Sequence, residues 1–276
     1  MASTAADKAA FNEKVKAIKG TLDELEKSIN AIKKEIEKTP AEDLAKIFKL
    51  KIRLCQRILA ETSYYLVSSR LSQKFLSFKN EAYLNEARKN FYVFCQVIEE
   101  MVGNVVDGID EQGDNLAVLD GLMENLLRFE LFKKAGFMYT KLERLYGENS
   151  KWKWSFVDLE ARLFNTLKNF IHFKVLLRDL DPSVPGYNDR MDLMNVIQKG
   201  MDKAAERFRN KYELTGKAID DMKSALTYVG FLKRLAAVTG DQDQVANCKK
   251  KIETWTKKLN DDYSVEEQKK AKAGAK

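Results

Sequence analysis

The sequence predicts an all-α protein, and three observations lead to that prediction. Apolar residues recur at steps of three and four over long stretches, which is the spacing of one face of a helix. Only three of the 276 residues are prolines and only thirteen are glycines, so few positions break a helix. Charged residues make up 32% of the chain, which is typical of long helices with a solvated face. We expect an elongated molecule with an antiparallel coiled-coil arm and a body of helical hairpins.

The most regular apolar pattern lies near the start of the chain. Its members follow each other at alternating steps of four and three: Phe11, Val15, Ile18, Leu22, Leu25, Ile29, Ile32 and Ile36. This heptad spacing predicts a coiled-coil seam, which could form within one chain or between two copies. Pro40 ends this first helix. Two further helices, at about 41–78 and 84–105, complete a predicted arm that covers residues 5–112. Asn80 is the only good cap between them, so one continuous helix through 77–81 remains an alternative.

The predicted body covers residues 113–262 and consists of paired helices joined by short turns. It is similar in a general way to tetratricopeptide arrays, although the 34-residue period of that repeat is missing. We expect one body helix to continue or bend at Gly136, and another to run from about Ser150 to Leu180. Residues 263–276 are predicted to form a short helix, capped by Ser264, and a basic tail.

Residues with catalytic potential form no recognisable motif. The one histidine, His172, stands in an aromatic run, and Asp179 and Asp181 lie too far along the helix to orient it. We expect a core or half-buried histidine that is hydrogen-bonded. Glycine loops for phosphate, nucleophile elbows and metalloprotease motifs are missing from the sequence. We therefore predict a protein that is not an enzyme, with no catalytic residue and no cofactor.

The sequence also predicts no metal site. Cys55, Cys95 and Cys248 are far apart among apolar residues, which indicates buried thiols rather than zinc ligands or a disulfide framework. The acidic loop at 107–114 fails the spacing of a calcium loop. No run of 18 apolar residues occurs, so a membrane-spanning helix is not expected. The first residues do not resemble a signal peptide. An exported protein also shows no signal peptide once that segment has been cleaved.

Charge is segregated along the chain, and this is the most informative feature for function. Residues 44–90 contain ten basic and three acidic residues, whereas residues 99–130 contain nine acidic residues and one basic residue. Opposite regions of this kind attract further copies or a charged lattice, unless they face each other within one molecule. The candidate interaction residues are Lys46, Lys49, Arg53, Arg57, Arg70, Lys74, Asp107, Asp110, Glu111 and Asp114.

Two tryptophans add to this set of candidates. Trp152 and Trp154 stand two positions apart at the start of a helix, so their side chains point to different sides. We expect one in the core and the other exposed as an interface anchor. The alternative is that both are partly buried at the helix start.

The sequence resembles the flagellar coiling protein family of Leptospira-type spirochaetes. The resemblance lies in the arm at 11–36 and 84–105, the hairpin body, the single histidine and the lysine-rich character. The resemblance implies a periplasmic structural protein that coats the flagellar filament and promotes its coiling and motility. Its partners would be other filament or lattice proteins, or further copies of itself. No nucleic acid is expected, because over the whole chain most lysines and arginines are interleaved with acidic residues.

Two alternatives remain open. The first is a soluble helical adaptor, cytoplasmic if the resemblance does not hold, that binds a partner peptide. The second is a protein whose basic stretch lies on an anionic membrane surface, although we expect membrane binding less than protein binding.

Overall fold

The computed structural model describes residues 4–147 and 150–274, and within these ranges it contains α-helices and no β-strand. The predicted all-α class is therefore confirmed. The helices of this described part are α1 (Ala5–Lys38), α2 (Leu44–Leu76), α3 (Glu81–Val102), α4 (Gly113–Asp120), α5 (Asn125–Tyr146), α6 (Lys153–Phe170), α7 (Phe173–Arg178), α8 (Tyr187–Leu214), α9 (Ile219–Thr239) and α10 (Gln242–Gly274). None of them combines the length and apolar character needed to span a lipid bilayer.

Helix α1 begins at a capping box and packs against α2. The backbone N–H of Asp7 donates to Thr4 Oγ1 at 3.1 Å, and the N–H of Thr4 donates to Asp7 Oδ2 at 2.9 Å. The eight residues of the heptad pattern are all buried or half-buried, and Leu25, Ile29 and Ile32 are buried. The apolar face of α1 therefore packs within the chain.

A tight turn separates α2 from α3. Ser77 adopts a left-handed conformation with φ 56°, and Asn80 Oδ1 accepts a hydrogen bond from the N–H of Ala82 at 3.0 Å. The structure therefore has a turn between these two helices and not one continuous helix. On the buried side of α2, small hydroxyls replace larger apolar groups. Thr62 and Ser72 donate to carbonyls four residues earlier, which satisfies these side chains inside the helix pair.

Two helix breaks lie at other positions than the sequence predicts. Gly136 lies inside α5, and the break falls instead between Asp120 and Asn125. The helix predicted from Ser150 to Leu180 is broken at Ile171 and His172, where Ile171 is extended. At that break the side chain of Asn125 binds the main chain of His172 in both directions, at 3.0 Å each. A side chain from another helix thus replaces helical hydrogen bonds.

The chain divides into two units by its packing. Unit 1 combines the chain up to Asn104 with Asp110–His172, and unit 2 combines Val105–Ile109 with the chain from Phe173 onward. In unit 1, α3 packs against α5 and α6 as well as α2, and α2 also packs against α5. These contacts join the helices of the predicted arm to the first helices of the predicted body, so packing is continuous across residue 112.

Unit 2 is built mainly from α8, α9 and α10, which pack in succession. The short segment Val105–Ile109 joins it through Asp107, whose Oδ2 accepts from Arg234 Nη2 at 2.9 Å. Helix α10 continues through residues 263–274, so the structure has no separate short helix there. Residues 275 and 276 of the predicted basic tail lie outside the described residues.

Candidate interaction groove

A groove lies between α2 and α5 on the surface of unit 1. It consists of two adjoining cavities of about 900 Å³ and about 430 Å³. Both cavities are lined by Ser63, Phe137 and Met138, so they are continuous. The first cavity joins earlier residues of both helices and the second joins later residues of both. The two helices therefore run in the same direction, and we call the recess between them the α2–α5 groove.

The lining of the groove is largely apolar. Buried residues of both helices, including Leu59, Leu66 and Leu131, contribute to its floor. Three large apolar side chains in it are exposed to solvent: Val67 by 48%, Leu127 by 50% and Phe137 by 64%. A cluster of this kind in one recess is typical of a surface that binds a partner, whereas isolated exposed apolar residues are common.

Basic side chains line the same groove. We call Arg70, Lys134, Lys141 and Arg144 the basic rim. Within the described ranges no ion pair connects these four groups to a carboxylate. The one acidic residue in the lining, Glu130, forms an ion pair with Lys133. Lys141 Nζ lies 5.1 Å from the centroid of the Phe137 ring, so charge and apolar surface stand side by side.

The structure places the predicted basic residues of α2 beside this groove. Lys46, Lys49, Arg53 and Arg57 are exposed and recur at steps of three and four, so they occupy one side of the helix. We call these four residues the basic ladder. It ends next to Gln56, which lines the groove, and Arg70 lies in the groove itself. Lys74 is exposed, with its Nζ 5.3 Å from the Phe75 ring centroid.

The predicted acidic residues are divided between the two units. Asp107 belongs to unit 2, where it binds Arg234, whereas Asp110, Glu111 and Asp114 belong to unit 1. Asp110 has a positive φ of 53°, and Asp114 lies in the first turn of α4. In the described part of the chain, no group of three or more His, Cys, Asp or Glu side chains is arranged to hold a metal ion.

Ion pairs within unit 1 show where the charged stretches meet. Lys51 Nζ lies 3.0 Å from Glu100 Oε2, which joins the basic stretch to the acidic one. Glu99 instead accepts from Arg162 Nε at 2.8 Å, and Asp120 pairs with Arg128. Glu99 and Asp120 of the acidic stretch are therefore neutralised by residues outside the basic stretch. The basic ladder stays exposed.

Both tryptophans near the start of α6 are half-buried. The alternative in which both are partly buried at the helix start is therefore confirmed, and the arrangement of one buried and one exposed side chain is not found. Trp152 stacks under Arg88, whose guanidinium carbon lies 3.9 Å from the ring centroid. Lys153 Nζ lies 5.1 Å from the ring centroid of Trp154. A cation therefore lies against a face of each ring.

A buried polar cluster, absent from the sequence-based predictions, surrounds Arg128. Its guanidinium donates to Met123 O at 2.6 Å, to Phe170 O at 3.0 Å and to Asp120 Oδ1 at 2.7 Å. Burial lowers the pKa of Arg128, and the charge of Asp120 acts in the opposite direction. The second oxygen of Asp120 lies 2.6 Å from His172 Nδ1. The histidine is thus half-buried and hydrogen-bonded, as expected, and its partner is the carboxylate of Asp120 at the end of α4.

A second cleft lies in unit 2 between α8 and α10, with a volume of about 490 Å³. Lys251 Nζ donates there to Asp202 Oδ1 at 2.8 Å and to Glu206 Oε1 at 2.9 Å. These charged groups bind each other, so they are less available to a partner than the basic rim of the α2–α5 groove is.

The three cysteines are buried and are not joined in disulfides. Burial raises the pKa of the Cys55 thiol and raises that of Cys95 to about 12. Thiols in this state are poor nucleophiles and poor metal ligands at neutral pH.

The model of one protein family, described as the TP0443 family, matches residues 7–263 of the chain. No curated protein matches it, and no solved structure matches it either.

Proposed function

We propose that this chain, which belongs to the TP0443 family, is a non-catalytic scaffold that binds a protein partner in the α2–α5 groove. The observation that carries the proposal is the exposure of Val67, Leu127 and Phe137 in one recess between two long helices. Exposing such groups to water is unfavourable by about 25 cal/mol for each Å² of apolar surface, and a partner would remove that cost.

The chemistry of the polar clusters supports a non-catalytic role. His172 and Asp120 form a close pair, and Asp120 also binds Arg128, which is fully buried and binds two main-chain carbonyls. Such a network holds the α4–α5 connection against the end of α6. This arrangement favours a structural role for the histidine.

The shape of the groove favours a protein over a lipid surface. A bilayer presents a broad plane, whereas the apolar side chains line a recess with buried residues at its floor. A protein segment inserted into the recess would contact the floor and the exposed side chains together.

We further propose that this scaffold works in the sheath of a periplasmic flagellar filament, where it would promote coiling and motility. The basic ladder on α2 favours a repetitive lattice, because Lys46, Lys49, Arg53 and Arg57 form a row of exposed charges next to the groove. A row of this kind can bind an acidic neighbour while the groove binds another segment.

Site-specific photo-crosslinking tests the groove in cells that produce the protein. A photoreactive phenylalanine analogue replaces Phe137, and the matched control carries it at Thr227, an exposed polar position in unit 2. We expect one identified protein adduct from position 137 that is missing from position 227. Equal labelling at both positions, or none at either, would overturn the scaffold proposal.

The filament setting has its own test. Purified flagellar filaments are probed for the chain with an antibody, alongside cell fractions without filaments. We expect enrichment in the filaments. If the chain is not enriched in the filaments, the proposal that it works in the filament sheath is wrong. The groove proposal then depends on the crosslinking result alone.

A further inference from the structure

We infer that the occupant of the α2–α5 groove is an acidic amphipathic α-helix of a partner protein. This inference rests on the proposed function, because it specifies the chemistry of the partner at the same site. Three properties of the groove lead to it: its length, the spacing of its exposed apolar groups and its charge.

The length of the groove suits a short helix. The lining residues of α2 extend over positions 56–70, which corresponds to about 21 Å along a helix axis. A partner helix of about 14 residues, or four turns, has the same length. Because α2 and α5 run in the same direction, the groove follows both helices without a crossing.

The exposed apolar side chains lie along this length. Leu127 lines the first cavity, Val67 lines the second, and Phe137 lines both. The groove therefore offers apolar surface near each end and at its middle. A helix with apolar residues at positions i, i+4, i+7 and i+11 presents a stripe that matches this arrangement.

The charge of the groove selects an acidic helix. Arg70 stands on α2, and Lys134, Lys141 and Arg144 stand on α5 at steps of seven and three, on the same side as Phe137. Arg53 and Arg57 lie three residues before Gln56 and Ala60 of the lining, and they extend this positive surface. Asp and Glu residues beside the apolar stripe of the partner would meet these groups, whereas Lys and Arg residues there would be repelled.

The test uses a fluorescently labelled 18-residue peptide with leucines at the four stripe positions and Glu or Asp at most others. Its binding to the full chain is measured by anisotropy at low and at physiological salt. We expect saturable binding that weakens as salt rises. A peptide of the same composition in scrambled order, and one with Lys in place of Glu and Asp, should each bind at least about tenfold more weakly.

Charge reversal at the groove gives the decisive comparison. The variant K134E/K141E/R144E should bind the acidic peptide at least about tenfold more weakly. The matched control K199E/K223E/K257E makes the same change of charge at exposed lysines of unit 2 and should bind like the original chain. The variant L127A/F137A should also bind more weakly, and circular dichroism confirms that each variant keeps its helices.

Several results would overturn the inference. Equal binding of the scrambled peptide, or unchanged binding by the groove variants, would show that the helix does not occupy the groove. Vesicles of phosphatidylglycerol and phosphatidylcholine provide a further arm. One outcome is that the chain sediments with these vesicles while no peptide binds. If K134E/K141E/R144E abolishes that sedimentation, the groove binds a lipid surface and not a helix.

The failures of the two proposals can be distinguished. If position 137 crosslinks to a protein in cells but acidic peptides do not bind, the scaffold proposal stands and the acidic helix is wrong. If position 137 yields no adduct and peptides do not bind, both proposals fail.

Discussion

Asn125 and His172 lie 47 positions apart, and they form two hydrogen bonds with each other. Asn125 Nδ2 donates to His172 O at 3.0 Å, and the N–H of His172 donates to Asn125 Oδ1 at 3.0 Å. One carboxamide therefore satisfies both main-chain polar groups of His172, the residue just before α7. The pair fixes the position of this break in the chain.

Replacing Asn125 with Ala should destabilise unit 1. The change leaves the N–H and C=O of His172 without these partners, which we expect to lower the free energy of unfolding by about 2 to 3 kcal/mol. Urea unfolding, followed by Trp152 and Trp154 in a W255F background, reports on unit 1 alone. The control N30A changes an exposed asparagine of α1, which also belongs to unit 1. A loss no larger than that of N30A would contradict the role given to Asn125.

Replacing Ile29 with Asp tests the packing of α1. Ile29 is buried on the face that α1 turns toward α2, so an unpaired carboxylate there should cost several kcal/mol of stability. The neighbouring exposed residue provides the control N30D. Thermal unfolding by circular dichroism measures the difference. Equal melting temperatures for the two variants would be incompatible with a buried Ile29.

Asp262 should contribute a pH-dependent part of the stability of unit 2. Hydrogen bonds from Lys217, Lys258 and Tyr212 lower the pKa of its carboxyl to about 2. Because an unfolded aspartate has a pKa of about 3.9, this contribution is present above about pH 4 and is lost as the pH falls toward 2. Asp262→Asn should therefore lower stability at neutral pH, and the difference from the original chain should disappear near pH 2.

Denaturant unfolding between pH 2 and pH 7, followed by Trp255, measures this difference. The control D261N changes the preceding residue, whose side chain is exposed. A constant difference across this pH range would contradict the lowered pKa of Asp262.

The three thiols should be protected in the folded chain. Cys55, Cys95 and Cys248 are buried, and burial raises the pKa of each thiol. We expect slow reaction with a chromogenic disulfide reagent at pH 8 and fast reaction of all three in guanidinium chloride. The variant T227C adds a cysteine at an exposed position, and its reaction gives the rate for an accessible thiol. A native thiol that reacts as fast as this one would show that its helix opens readily.

Local signals predicted the helical class and the first elements well. The bounds of α1, the turn at Ser77 and the cap at Asn80 all follow from residues close to them in sequence. The breaks at 121–124 and 171–172 could not be found in this way. They involve Asn125 and Arg128, which bind the main chain of His172 and Phe170 far along the sequence, and a helical pattern gives no sign of such contacts.

The groove was only partly predictable. Arg70 was among the candidate interaction residues because of the excess of basic residues in that stretch. Leu127 and Phe137 belong to the apolar pattern of α5, and periodicity alone assigns such residues to the core. Whether they are covered depends on the neighbours of α5, which a pattern does not specify. Basic residues close to Phe137 in sequence, Lys134 and Lys141, were the available signal.

The segment Val105–Ile109 has a consequence for the order in which the chain folds on the ribosome. Asp107 leaves the exit tunnel 127 residues ahead of Arg234, its partner in unit 2. By the time Arg234 emerges, every residue of unit 1 has been synthesised. Until that point the segment cannot pack against the later helices of unit 2. A premature stop after residue 172 would therefore yield a chain with all of unit 1 and one fragment of unit 2 inserted in it. Translation must pass α9 before the segment can reach its place, so nascent chains carry an unfinished loop for much of their synthesis.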